Sequence, residues 1–128
     1  MSEPVVFVSH FRIKEGKLDA LGQLFREVTK ALEGEKPRTL VFLSYINEGG
    51  TEASFVHVFA DADSMDLHVQ GAEERTRKAL EFLEPEGFEI YGRPSDRVME
   101  MMREAAVSGA ELGVQSKYLG GFIRPTPG

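Results

Sequence analysis

The sequence predicts an α+β domain with elements in the order β-α-β-β-α-β, followed by a C-terminal helix and an extension. Three observations predict it. Hydrophobic spacing switches repeatedly between a two-residue and a 3.6-residue period. Glycine- and proline-bearing breakers fall at those switches. The chain's 128 residues are one domain's length on the usual scale of roughly 100–200 residues.

Residues 5–13 read as the first strand. Val5, Phe7, Ser9, Phe11 and Ile13 share one face, and Val6, Val8, His10 and Arg12 share the other, so both faces carry apolar side chains. Lys14-Glu15-Gly16 breaks the strand. Over residues 17–32, Leu18, Leu21, Phe25, Val28 and Leu32 recur at helical spacing, with Leu24 widening the stripe and Asp19, Arg26, Glu27 and Lys30 on other faces. Gly34 and then Pro37 stop that helix.

Residues 39–47 form a β-branched and aromatic second strand, with Leu40, Phe42, Ser44 and Ile46 opposed to Val41, Leu43 and Tyr45. Glu48-Gly49-Gly50-Thr51 is a hairpin turn in which glycine supplies positive φ. The third strand, residues 53–60, sets Phe55, His57 and Phe59 against Val56 and Val58. Asp61-Ala62-Asp63-Ser64 carries the acceptors that cap a helix. That helix is expected to run to Leu83 through Met65, Val69, Ala72, Thr76, Ala79 and Leu80, with Pro85 and Gly87 ending it. Residues 88–92 make a short fourth strand. Pro94-Ser95 opens a third helix reaching about Val107, with Val98, Met101, Met102 and Ala105 on one stripe. The remainder is glycine-rich, and within it residues 118–123 are a candidate edge strand or partner-grasping arm.

This order is the ferredoxin-like, split βαβ arrangement over residues 1–94, with residues 95–128 as a C-terminal helix and extended tail of the same domain. Right-handed crossovers place both long helices on one face of a four-stranded antiparallel sheet. The opposite face would then leave Val6, Val8, Val56 and Val58 uncovered, together with one row of the second strand. Soluble monomers rarely expose more than a few hundred Å² of contiguous apolar surface, and covering it is worth roughly 25 cal/mol per Å². A second copy packed sheet to sheet about a two-fold axis is the simplest cover, so a homodimer is expected. The alternative is a C-terminal segment folded back over its own sheet.

Composition narrows the function classes. Hydrophobic residues make up 41% and charged residues 28%, ordinary for a globular domain. The net charge of −6 offers no electrostatic footprint for nucleic acid. The absence of cysteine excludes disulfides, thiolate nucleophiles and Cys-ligated metals. No basic n-region opens the chain and no apolar run approaches the ~20 residues of a membrane span, so no membrane partner and a cytoplasmic location are expected.

Residues 5–83 resemble the antibiotic-biosynthesis monooxygenase-like family of dimeric α+β barrels. The cues are Phe11-Arg12-Ile13-Lys14-Glu15-Gly16-Lys17 at the first strand-to-helix junction, and the run from Phe55 to His68 leading into the second long helix. In many members an aromatic residue ends the third strand, an acid and small residues cap the helix, and a histidine follows. Phe59, the stretch 61–64 and His68 occupy those places here. The resemblance implies a homodimer and a cofactor-free oxygenation of a small aromatic or quinol-like molecule. Its alternative is a non-catalytic barrel that binds a small apolar ligand in a stress-related or regulatory role. Haem breakdown by the mechanism of other barrel relatives is not expected. Ser9, Phe59 and Lys78 stand where those proteins carry asparagine, tryptophan and an iron-binding histidine.

Cofactor-free oxygenation needs an apolar pocket, a base tuned near neutrality and donors for a developing oxyanion. If Ser9 and Phe59 face the helices, strand parity puts Phe7, Phe11, Phe55 and His57 beside them. His57 is then an imidazole among phenylalanines, kept neutral by burial. His57 and His68 are the candidate catalytic residues, and Ser9, Phe7, Phe11, Phe55, Phe59 and Tyr45 the candidate substrate-binding residues. No cofactor or metal is expected: the 61–66 acids fail the calcium-loop pattern, since Asp66 and Ala72 stand where glycine and glutamate are required. Phosphate-cradling motifs are absent, and no serine sits in a Gly-x-Ser-x-Gly elbow, so covalent hydrolase chemistry is not expected.

Overall fold

The computed structural model describes residues 3–107 and 109–124. Its elements are β1 (Val5–Ile13), α1 (Leu18–Glu35), β2 (Thr39–Ile46), β3 (Glu52–Phe59), α2 (Ala62–Val69), α3 (Ala72–Ala79), β4 (Leu83–Tyr91), α4 (Asp96–Val107) and β5 (Glu111–Gln115). The fold class is the expected α+β ferredoxin-like one, with β1 at the centre of the sheet order β2-β3-β1-β4-β5. β1 runs antiparallel to β3 and to β4, and β2 antiparallel to β3.

The structure corrects the sequence reading at three places. The sheet is five-stranded and mixed, because β5 adds to β4 in parallel. That strand is Glu111–Gln115, whereas residues 118–123 lie outside any strand. The second long helix is two short ones. Gln70 turns extended (ψ 124°) and Gly71 takes φ 72°, a left-handed conformation that glycine adopts without a Cβ clash. β4 begins at Leu83 and runs through Pro85 and Gly87. Pro85 is tolerated because β5 pairs only from Gly87 onward and the β1 register shifts between His10 and Phe11.

Capping follows the sequence. Asp61 Oδ1 accepts from Ser64 N at 2.8 Å and from Ser64 Oγ at 2.6 Å, closing the start of α2. Ser95 Oγ accepts from Val98 N at the start of α4. In the hairpin, Asn47 Oδ1 accepts from Thr51 N and Glu52 N.

The core lies between the helices and one sheet face. At one end Val5, Phe59 and Ile90 of the sheet meet Met65 of α2 and Val98 of α4. At the other end Ile13, Ala53, Phe55 and Leu83 meet Leu21 of α1. The helix-free face grades along the strands. One row pairs Val41, Val58, Val6 and Tyr91; the next pairs Leu43, Val56, Val8 and Glu89; then come Tyr45, Ser54, His10 and Gly87; and last Glu52, Arg12 and Glu84. One half of that face is therefore apolar and the other polar.

Gly92 fixes where the chain start meets the end of β4. It has φ +99°, and a Cβ there would stand 2.6 Å from the Pro4 carbonyl oxygen. Gly92→Ala should destabilise the protein by about 2 kcal/mol, lowering Tm by roughly 8 °C. Gly34→Ala, which meets nothing within 4 Å in α1, should leave Tm unchanged or slightly raised; equal melting of the two variants would refute this packing.

Candidate active site

Strand parity assembles most of the expected site. Register pairs Phe7 with His57 and with Phe42's partner position on β3, so all three side chains share the helix-covered face. Ser9, Phe55, His57, Phe59 and His68 are buried, and Phe7 and Phe11 are half-buried beside them. The His57 ring lies 5.3 Å from Phe7, 5.0 Å from Phe42 and 6.0 Å from Phe59, centre to centre. His68 reaches it from α2, 5.0 Å away and at 79°. Phe11 packs edge-on to Phe55. Tyr45 departs from expectation. It pairs with Ser54 and, alternating with Ser44, belongs to the opposite sheet face, although it touches the rim of a groove described below.

The helix break builds the rest of the site. In a continuous helix the carbonyls of residues 67, 68 and 70 would be taken by amides four positions on. The break frees them for two cations. Lys36 Nζ donates to the Leu67 carbonyl at 2.8 Å and the Gln70 carbonyl at 3.0 Å. Arg75 donates to the His68 carbonyl at 3.1 Å. Cations at a helix C-terminus are favoured by the exposed carbonyl dipoles. Thr39 Oγ1 and His68 Nδ1 are hydrogen-bonded at 2.7 Å.

These groups hold both imidazoles neutral. His57 is lowered to about 4, first by burial and then by the Arg75 charge, against the opposing bond to the Phe7 backbone. His68 is lowered to about 3 by burial, by His57, and by Arg75 and Lys36. The Nδ1 atom of His57 is buried with no hydrogen-bond partner. Most buried polar atoms are satisfied, so this atom is the site's uncommitted group. Arg75, Thr39 and Lys36 were not singled out from the sequence. No spacing announced them: the seven residues from His68 to Arg75 span the break at Gln70–Gly71, so helical periodicity does not bring the two together.

A groove of about 500 Å³ runs between α1 and the β2–β3 hairpin, lined by Leu18, Leu21, Phe25, Ser44, Ala53 and Phe55, with Arg26 and Lys30 on its rim. On β2 the next inward residue past Ser44 is Phe42, and on β3 the next past Phe55 is His57; those two are register partners. Phe42 thus separates the groove from the imidazole. A larger hollow of about 660 Å³ at the β1–α1 junction is lined by Arg12, Lys14, Glu15 and Glu84 among others and contains none of the expected site residues. Among the described residues no group of three or more His, Asp or Glu is placed to hold a metal, and no helix is long and apolar enough to cross a membrane.

Solved structures of antibiotic-biosynthesis monooxygenase-like proteins share this ferredoxin-like fold, which bears out the resemblance of fold. The chain is similar to MupZ from Pseudomonas fluorescens, with a TM-score of 0.71 at 17% identity over 98% of each chain. It is also similar to SnoaB, a cofactor-independent oxygenase from Streptomyces nogalater (TM-score 0.59, 15% identity, 73% of this chain and 96% of that one). A third is a candidate antibiotic biosynthesis monooxygenase from Bacteroides thetaiotaomicron (TM-score 0.56, 16% identity, 65% and 85%). No protein-family profile and no curated protein matches the sequence.

The neutral imidazoles make stability depend on pH. The unfolded chain protonates its histidines below about 6.5, whereas the folded chain resists until about 4 at His57. Stability is therefore complete above 6.5 and falls as pH drops from 6.5 toward 4, by roughly 3 kcal/mol for His57 alone. Urea melts at pH 7.5 and 4.5 should show this drop, and His57→Phe should reduce it by roughly half, His68 supplying the remainder. An undiminished drop in that variant would show that His57 is not its source.

Proposed function

We propose that the chain is a cytoplasmic, homodimeric, cofactor-independent monooxygenase acting on a small aromatic or quinol-like molecule, with residues 95–128 working as part of the same domain. The observation that carries this reading is the buried, unpartnered Nδ1 of His57, one residue layer beyond an apolar groove. The neighbouring oxygenase folds support it. A flat aromatic substrate enters the groove along the stacked Phe25 and Phe55 rings and displaces the Phe42 ring to reach His57. Neutral His57 accepts the proton of an acidic phenol or of a methylene activated by it. Arg75, which disfavours a second positive charge at the imidazoles, favours the resulting substrate anion for the same reason. That electron-rich anion reacts with dioxygen: a substrate CH₂ and O₂ give C=O and H₂O, with no external reductant. His68, oriented by Thr39, is the second group able to relay the proton.

Oxygen uptake with anthrone and a panel of quinols tests this. His57→Ala should lower turnover by about 10²-fold or more, the usual size of a general-base contribution, and His68→Ala by a smaller factor. Full activity in both variants would refute the assignment. A second reading, a non-catalytic barrel that binds a small apolar ligand, is favoured by one observation. The groove has no carboxylate or imidazole in its lining, only Arg26, Lys30 and the hydroxyls of Thr29, Ser44 and Tyr45. No oxygen uptake across the panel, with saturable binding of an apolar fluorophore that Phe25→Ala weakens, would establish that reading instead.

The homodimer rests on the uncovered valine rows Val6, Val8, Val41, Val56 and Val58, half-buried in the single chain, with Leu43 45% exposed among them. Light scattering should give twice the 14.2 kDa chain mass, and Val8→Asp with Val56→Asp should give the single mass. A monomeric parent chain would refute the interface.

A further inference from the structure

Beyond β5 the chain carries apolar side chains that its own fold leaves in solvent. Residues 116–124 are exposed throughout, with Leu119 at 102% and Phe122 at 80%. They do not fold back over their own sheet. At the other edge of the sheet β2 is also uncovered: Leu40, Leu43, Tyr45 and Ile46 are each about half exposed. Among the described residues β2 pairs only with β3, so one side of its backbone is a free edge, a template for a further extended segment. Strands β3, β1 and β4 separate β2 from β5, a width of about 19 Å at about 4.8 Å per strand. Within one chain the two exposed apolar sets therefore start from opposite edges.

We propose that in the homodimer the tail of each copy lies along the β2 edge of the other and sets Phe122 over the mouth of the groove between α1 and the β2–β3 hairpin, so that both copies wall each substrate groove. The inference rests on the proposed homodimer and not on the oxygenase chemistry. The helix-free face is apolar at its Val41–Val58–Val6 end and charged at its Glu52–Arg12–Glu84 end. A two-fold axis along the strands lays valines on valines, whereas an axis across them lays valines on charges, at a desolvation cost. The first axis reverses the strand order of the second sheet, so each β2 edge lies against the other copy's β5 edge. β5 ends at Gln115, level with Tyr91 at the valine end, and the tail thus leaves beside the Val41 end of the facing β2. Gln115 to Phe122 is seven residues, a reach of about 23 Å. The path needed runs about 17 Å along β2 from Val41 to Ile46 and about 10 Å between sheets, a diagonal of about 20 Å. Tyr45 and Ile46 line the groove mouth there and meet the Phe122 ring. Two residues further on, Arg124 comes level with the opposite charge of Glu48 in the hairpin. Main-chain bonds to the β2 edge complete the attachment.

The chain has no cysteine, so engineered thiols test this on the full protein. Phe122→Cys co-expressed with Ile46→Cys and mildly oxidised should give a disulfide-linked dimer, and Phe122→Cys with Glu104→Cys, on α4, should not. Leu119→Ser with Phe122→Ser should still scatter as a dimer held by the valine rows. In that variant amide exchange over residues 41–46 should be about tenfold faster than in the parent. An apolar fluorophore should bind it about tenfold more weakly, the usual cost of losing a buried aromatic anchor. No linked dimer, a disulfide formed inside a single chain carrying both cysteines, or exchange and binding unchanged in the serine variant overturns the proposal. With a dimeric parent such results leave the homodimer standing, whereas a monomeric parent removes both. None of these readouts uses oxygen uptake, so failure of the oxygenase reading is scored separately.

Discussion

Every property of this molecule depends on the alternation of side chains along β1, the middle strand of the sheet. Val5, Phe7, Ser9, Phe11 and Ile13 point beneath the helices, and Val6, Val8, His10 and Arg12 point away. A slip of one residue against β3 or β4 would exchange the two sets. It would drive His10 and Arg12 into the core, where an unpaired charge costs several kcal/mol, and put two phenylalanines in water. The cost of that error pins the register. The pinned register in turn decides that His57 faces His68 and that Ser54 faces His10.

The two faces use polarity in opposite ways. Under the helices, ionisable groups are kept uncharged by burial, and the nearby cations are spent on freed helix carbonyls instead of on carboxylates. On the open face, polar groups are paired: Arg12 with Glu84, and the Glu89 carboxylate with His10 by a hydrogen bond. Exposed pairs of this kind add little to stability, so their arrangement is better understood as specificity than as scaffolding. The buried side carries the thermodynamic burden through Phe59, Met65, Leu83 and Ile90, which have almost no exposure.

The fold was legible because its signals are local. Period switches located β1, α1, β2, β3 and α4, and parity alone grouped His57 with its phenylalanines. The misreadings came where a non-local partner overrode a local cue. Pro85 and Gly87 resemble terminators, yet a shifted β1 register and a late-starting β5 make room for them inside β4. Gly71 sat unremarked in a helical pattern that never quite loses its period. The short Glu111–Gln115 strand has only Leu112 and Val114 to announce it, and it exists because β4 offers an edge. Tyr45 was grouped with the pocket by residue type; pairing with Ser54 turns it away from His57, while it still lines the groove beside α1. The Arg75 contact was harder still, because it forms only across the helix break at Gln70–Gly71, and the Ser54–His10–Glu89 hydrogen bonds join three strands far apart in sequence.

The break at Gln70–Gly71 makes chain length a control on the site. A helix advances about 100° per residue, so a one-residue deletion that let α2 run straight into α3 would rotate Arg75 by a little over a quarter turn about the axis. The same deletion would reclaim the carbonyls that now bind Arg75 and Lys36. The imidazoles would lose their electropositive neighbour without any change to the residues lining them. Homologous sequences that differ here by a single insertion or deletion should therefore differ in the acidity of the site, a form of tuning that comparison by substitution alone would overlook.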